Sequence, residues 1–114
     1  MVKPIDYHET TGGSLVGYLP PTTYAELVAA LGEPNSPNDG YKTQAEWAVA
    51  LDDGTKLSIY DYKQGESYRQ DGSGVPAEDV TEWHVGGDAR YGSPTALALI
   101  DELVYELNAA RQNQ

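Results

Sequence analysis

The sequence predicts an α+β domain, a mainly antiparallel sheet with two helices packed on one face, in the order β-α-β-β-β-α. Three observations predict it. A capping box opens a short amphipathic stretch at Thr23, an Asp53-Gly54 pair separates two alternating runs, and Ser93-Pro94 opens a long segment of helical periodicity.

Residues 14–19, SLVGYL, read as a short strand after the Gly12-Gly13 turn, and Pro20-Pro21 stops it because proline cannot donate to a ladder. A helix follows at once. Thr23 and Glu26 form the capping box, Tyr24, Leu27, Val28 and Leu31 share one face, and Gly32 followed by Pro34 ends the helix. That apolar stripe requires a sheet to cover.

Residues 33–40, EPNSPNDG, are a loop, and residues 42–63 are two strands joined by Asp53-Gly54. Alternation turns Trp47, Val49 and Leu51, with Leu57 and Ile59, toward the helices. The opposite face carries Glu46, Ala48, Ser58, Tyr60 and Tyr62, a half-polar surface for water or a ligand. Asp61 has core-facing parity, so its carboxylate requires a partner such as Lys42 or Lys63, or a place at the wet end of the strand. Residues 64–79 form a polar, glycine-rich mobile loop. VTEWHV, residues 80–85, is a strand with Trp83 and Val85 inward and Glu82 and His84 outward, ended by Gly86-Gly87. The last helix runs from Ser93 to about Arg111 and buries Leu97, Ile100, Leu103, Val104 and Leu107.

The chain has 114 residues, the size of a single domain, with a flexible amino-terminal segment expected over residues 1–12. It has no cysteine, which removes disulfides, thiol nucleophiles and thiolate zinc sites together. Seven basic against eighteen acidic residues give a net charge of −11, which repels phosphate backbones, so no direct nucleic-acid binding is expected. No stretch is apolar enough for a membrane span or a signal peptide, so no membrane partner is expected either. Nine Tyr, two Trp and no Phe favour wet surfaces over dry cores, because tyrosine joins an apolar face to a hydroxyl.

The motifs DGYKT (39–43), AEW (45–47), IYDYK (59–63) and TEWHVGG (81–87) resemble a group of small uncharacterised proteins from phages of actinobacteria, over about Ser14 to Leu107. The shared features are a helix ending in a Gly-x-Pro turn, an acid-Gly hairpin, a YDYK-like strand end and a W-H-x-G-G strand end. No activity is established for the group. The resemblance implies a phage origin, this fold, and a cytoplasmic place in a bacterial host cell. By analogy, small phage proteins lacking enzymatic motifs are often antagonists of host defence.

No Walker or dinucleotide glycine loop, G-x-S-x-G, H-E-x-x-H or EF-hand pattern is present, so no catalytic residue, metal or cofactor is assigned. Lys42 and Lys63 bracket the open end of the hairpin, with Tyr41, Tyr60 and Tyr62 beside them and His84, Gly86, Gly87 and Arg90 approaching from the next strand. Aromatic faces stack on a base, lysines meet phosphate, and glycine amides admit an anion, so the set suits a small anionic nucleotide-like ligand. The same residues also serve as ordinary strand-end chemistry. Three functions follow. The first is sequestration of a host immune nucleotide signal, aided by loop closure or a homodimer. The second is an acidic inhibitor or nucleic-acid mimic docking on a basic host protein. The third, a hydrolase, requires His84 as base, oriented by Asp61 or Glu82.

Overall fold

A computed structural model describes residues 1–9, 13–37, 43–62, 65, 69 and 71–112. Five strands, β1 (Lys3–Pro4), β2 (Ser14–Tyr18), β3 (Glu46–Ala50), β4 (Lys56–Tyr60) and β5 (His84–Gly87), form one sheet in the order β1-β3-β4-β5-β2. Every pairing is antiparallel. Helices α1 (Tyr24–Leu31) and α2 (Pro94–Gln112) pack on this sheet and against each other, so the α+β architecture is as the sequence predicts.

The inward half of the hairpin's alternation holds, whereas Ala48, expected on the open face, is buried where Ile5 and Asn35 hydrogen-bond to it. Trp47, Val49, Leu57 and Ile59 are essentially inaccessible and form the core with Trp83 and Val85 of the neighbouring segment. The two indole rings meet edge to face at 5.4 Å. Each also spends its N–H on one end of α1: Trp47 Nε1 donates to the Gly32 carbonyl at 2.8 Å, and Trp83 Nε1 donates to the Thr22 carbonyl at 2.7 Å. At the start of α1 the capping box is complete, with Thr23 Oγ1 accepting from Glu26 N and Glu26 Oε1 accepting from Thr23 N. At its end Gly32 has φ 82°, a conformation that favours glycine.

Four expectations require correction. The amino-terminal segment is tied down over residues 2–9: β1 pairs with Ala50 and Val49, Val2 is buried, and the Asn35 side-chain amide donates to the Ile5 carbonyl while its Oδ1 accepts from Ala48 N. The last strand starts at His84 rather than at residue 80, because Thr81 and Trp83 run beside Pro20 and Pro21, which have no N–H for a ladder. Gly86 and Gly87 are the last two residues of that strand rather than a turn that follows it. A Cβ on Gly86 would lie 2.7 Å from Ser58 Oγ, and one on Gly87 would lie 2.7 Å from Leu57 Cδ2, so both are close-approach positions. On α2, Leu97 is 61% exposed and Ala96 takes the buried place, since the inward stripe runs through Ala96, Leu103, Leu107 and Ala110.

The same helix buries Glu106, whose Oε1 accepts from Asp52 N at 3.0 Å and so ties α2 to the hairpin turn. Burial, and a hydrogen bond with Glu102, hold the Glu106 carboxyl above its ordinary range. Of the expected mobile loop, residues 64, 66–68 and 70 lie outside the described residues; the rest holds a turn at 71–73 and a 3-10 turn at Ala77–Asp79. No helix among the described residues is long and apolar enough to cross a membrane.

Candidate functional site

Cross-strand register builds one row of side chains on the sheet face away from the helices. Tyr18 of β2 is opposite His84 of β5, His84 is opposite Tyr60 of β4, and Tyr60 is opposite Glu46 of β3. Residues in register on adjacent strands point to the same side, so the row is a direct product of alternation. Ring contacts follow. His84 stacks on Tyr60 at 5.4 Å with 27° between planes, and meets Tyr18 at 4.8 Å and Tyr62 at 5.6 Å edge-on. Tyr91, from the turn before α2, meets Tyr18 at 6.0 Å. Tyr18, Tyr62 and Tyr91 are exposed, whereas Tyr60 and His84 are half-buried beneath them.

Of the expected ligand-binding set, Tyr60, Tyr62 and His84 are therefore brought together, with Gly86 on the next row opposite Ser58. Gly87 continues the strand. Arg90 is exposed, and its side chain makes no hydrogen bond or ion pair among the described residues. Tyr41, Lys42 and Lys63 lie outside the described residues. Tyr18 and Tyr91 belong to the cluster yet were absent from the expected set. The irregular register of β2 between Leu15 and Gly17 upsets simple alternation before Tyr18, and Tyr91 arrives through a turn whose path no local pattern specifies.

The environment of the cluster is anionic. Burial holds the His84 imidazole below its ordinary pKa, partly offset by the nearby carboxylates of Asp61 and Glu82. His84 Nδ1 is shut from solvent and has no hydrogen-bond partner among the described residues. The lysines expected to pair with Asp61, Lys42 and Lys63, lie outside the described residues, but donors to its carboxylate lie within them. Asp61 is fully buried, and its carboxylate accepts from Gln44 N at 2.7 Å, Gln44 Nε2 at 2.9 Å and Ala45 N at 2.9 Å. Backbone and amide N–H groups solvate the buried charge there. Gln44 Nε2 also donates to the Val75 carbonyl at 3.1 Å, which fastens residue 75 to the open end of the hairpin.

Beside the aromatic row lies an open groove of about 1090 Å³. It follows β3 and β4 from Glu46 and Tyr60, past Ser58 and Gly86, to Lys56 at the hairpin turn. Among the described residues, Glu9, Glu46, Asp53 and Asp88 line it against one base, Lys56, whose Nζ lies 3.7 Å from Glu9. Burial holds the Glu46 carboxyl above its ordinary range, and the nearby Glu46 and Tyr62 add to burial in raising the Tyr60 phenol. Among the described residues no group of three or more acids and histidines is placed to hold a metal ion. No protein-family model, curated protein or solved structure matches the chain.

Proposed function

We propose that this domain is a binding module that docks on a basic protein surface through its tyrosine and histidine face. The observation that carries this reading is the four-strand row Tyr18, His84, Tyr60 and Glu46, in which an exposed phenol, two half-buried rings and a carboxylate share one face. Tyrosine is a favoured anchor of protein interfaces, because it buries a large flat area at little entropic cost and keeps a hydroxyl for water or partner. Ring faces also attract ammonium and guanidinium groups. The carboxylates of Glu46, Asp61 and Glu82 around the rings, and the net charge of −11, add a field that steers a cationic partner and fixes its orientation.

Capture of a nucleotide-like anion is the competing reading, and one observation favours it: the near-parallel Tyr60 and His84 rings are a stacking platform beside Gly86. The acids around that platform weigh against phosphate. The test uses a short arginine–glycine repeat peptide, titrated calorimetrically into the full chain. Tyr18→Ala and Tyr62→Ala, both at exposed positions, each weaken binding by about five- to tenfold without lowering the melting temperature. Unchanged affinity in both variants overturns the docking reading.

A further inference from the structure

Within the groove, one spot carries two polar groups with no partner among the described residues. Ser36 is only 9% exposed and lines the groove next to Glu46, whose backbone carbonyl accepts from Ser36 N at 3.1 Å; its Oγ lies just beneath the groove wall, shut from solvent and without a hydrogen-bond partner among the described residues. The half-buried Glu46 carboxylate makes no ion pair or hydrogen bond among the described residues, although a buried carboxylate ordinarily has a partner. Tyr60, directly opposite Glu46, presents its ring to the same space. Ser58 Oγ lies one row further along, in the space that a side chain on Gly86 would need.

Each of these groups selects the same chemistry. A carboxylate held away from water and lacking a cation attracts one. An unpaired serine hydroxyl accepts a second N–H, and a tyrosine face accepts a planar cation by stacking. An ammonium would satisfy the charge alone, whereas a guanidinium has five N–H donors in a plane and can stack, fork onto a carboxylate and reach a hydroxyl at once. The four carboxylates that line the groove among the described residues, against one lysine, disfavour an anionic group in the same place.

The geometry points to an anchor site in which Glu46, Ser36 and Tyr60 receive the guanidinium of one arginine from the basic partner. This rests on the docking reading and specifies its central contact. The groove continues along the strands toward Lys56, so the residues flanking that arginine lie extended over Ser58 and Gly86.

The probe is acetyl-arginine amide, followed by amide chemical shifts of the full chain, with acetyl-lysine amide and adenosine monophosphate as comparisons. The arginine probe shifts Glu46, Ser58, Tyr60 and Gly86 saturably and binds more tightly than the lysine probe, and adenosine monophosphate leaves those amides unmoved. Glu46→Gln weakens the arginine probe by at least about fivefold, and Ser36→Ala weakens it about two- to threefold. Both variants retain the fold, since one removes a charge whose ionisation burial opposes and the other removes an unpaired hydroxyl; their melting curves verify this. Arginine binding that both variants leave intact, or that shifts other residues instead, overturns the anchor. If the repeat peptide still binds and still depends on Tyr18 while neither Glu46→Gln nor Ser36→Ala has an effect, the anchor fails and the docking face stands.

Discussion

At the scale of single residues, His84 concentrates the conflict between burial and charge. Its ring is enclosed by Tyr18, Tyr60 and Tyr62, and burial lowers its pKa more than the carboxylates of Asp61 and Glu82 raise it. The unfolded chain therefore takes up the proton first as pH falls. Stability is full above the ordinary histidine value near 6.5, decreases from there down to the folded pKa, and levels off below it. Proton NMR of the imidazole should give a midpoint below 6.5, and urea denaturation of His84→Gln should lose this portion of the acid sensitivity. A midpoint at or above 6.5 would mean that the two carboxylates outweigh burial. The outward placement of His84 was legible from its alternation with Trp83 and Val85. The partner of Asp61 was not: parity showed that a buried carboxylate needed donors, but the donors proved to be Gln44 and the Ala45 backbone, which meet Asp61 only once the hairpin closes.

At the scale of elements, α1 is short, eight residues, and depends on its ends. Its amino end has the capping box, and Glu26 of that box also pairs with Arg111 of α2, so one side chain both starts a helix and joins two. The indole N–H of Trp83 holds the chain at Thr22, and that of Trp47 holds it at Gly32. Thr23→Ala should cost about 1 kcal/mol in chemical denaturation with the slope unchanged. No loss would assign the start of α1 to the tryptophan and Arg111 contacts alone. Local chemistry made these elements readable, because caps, the Asp53-Gly54 turn and alternation are short-range signals. What local chemistry could not supply was the sheet order. β1 joins the sheet through two residues, one of them proline, and its place is fixed by Asn35 and by the burial of Val2, contacts between segments far apart in the chain. Leu97 failed for a related reason: two adjacent helix positions both fit an apolar stripe, and the close approach of β2 at Gly17, where a Cβ would lie 3.2 Å from Ile100 Cγ1, helps decide which faces in.

At the scale of the whole molecule, the sheet separates two jobs. One face is closed by the helices around Trp47 and Trp83, and the other carries the tyrosine row and the acidic groove. The net charge of −11 belongs to function on this account, since it draws a basic partner to the face where rings and carboxylates coincide. The most direct measurement is a titration of the isotopically labelled full chain with the arginine–glycine repeat peptide and, separately, with adenosine monophosphate, at low and at high salt. The account predicts that the peptide alone shifts Tyr18, Tyr60, Tyr62 and His84, that its affinity falls steeply as salt rises, and that Lys42→Ala with Lys63→Ala leaves binding intact or stronger. Shifts of the same residues by the nucleotide but not by the peptide, abolished by those two lysine substitutions, would contradict it and assign the face to a small anion.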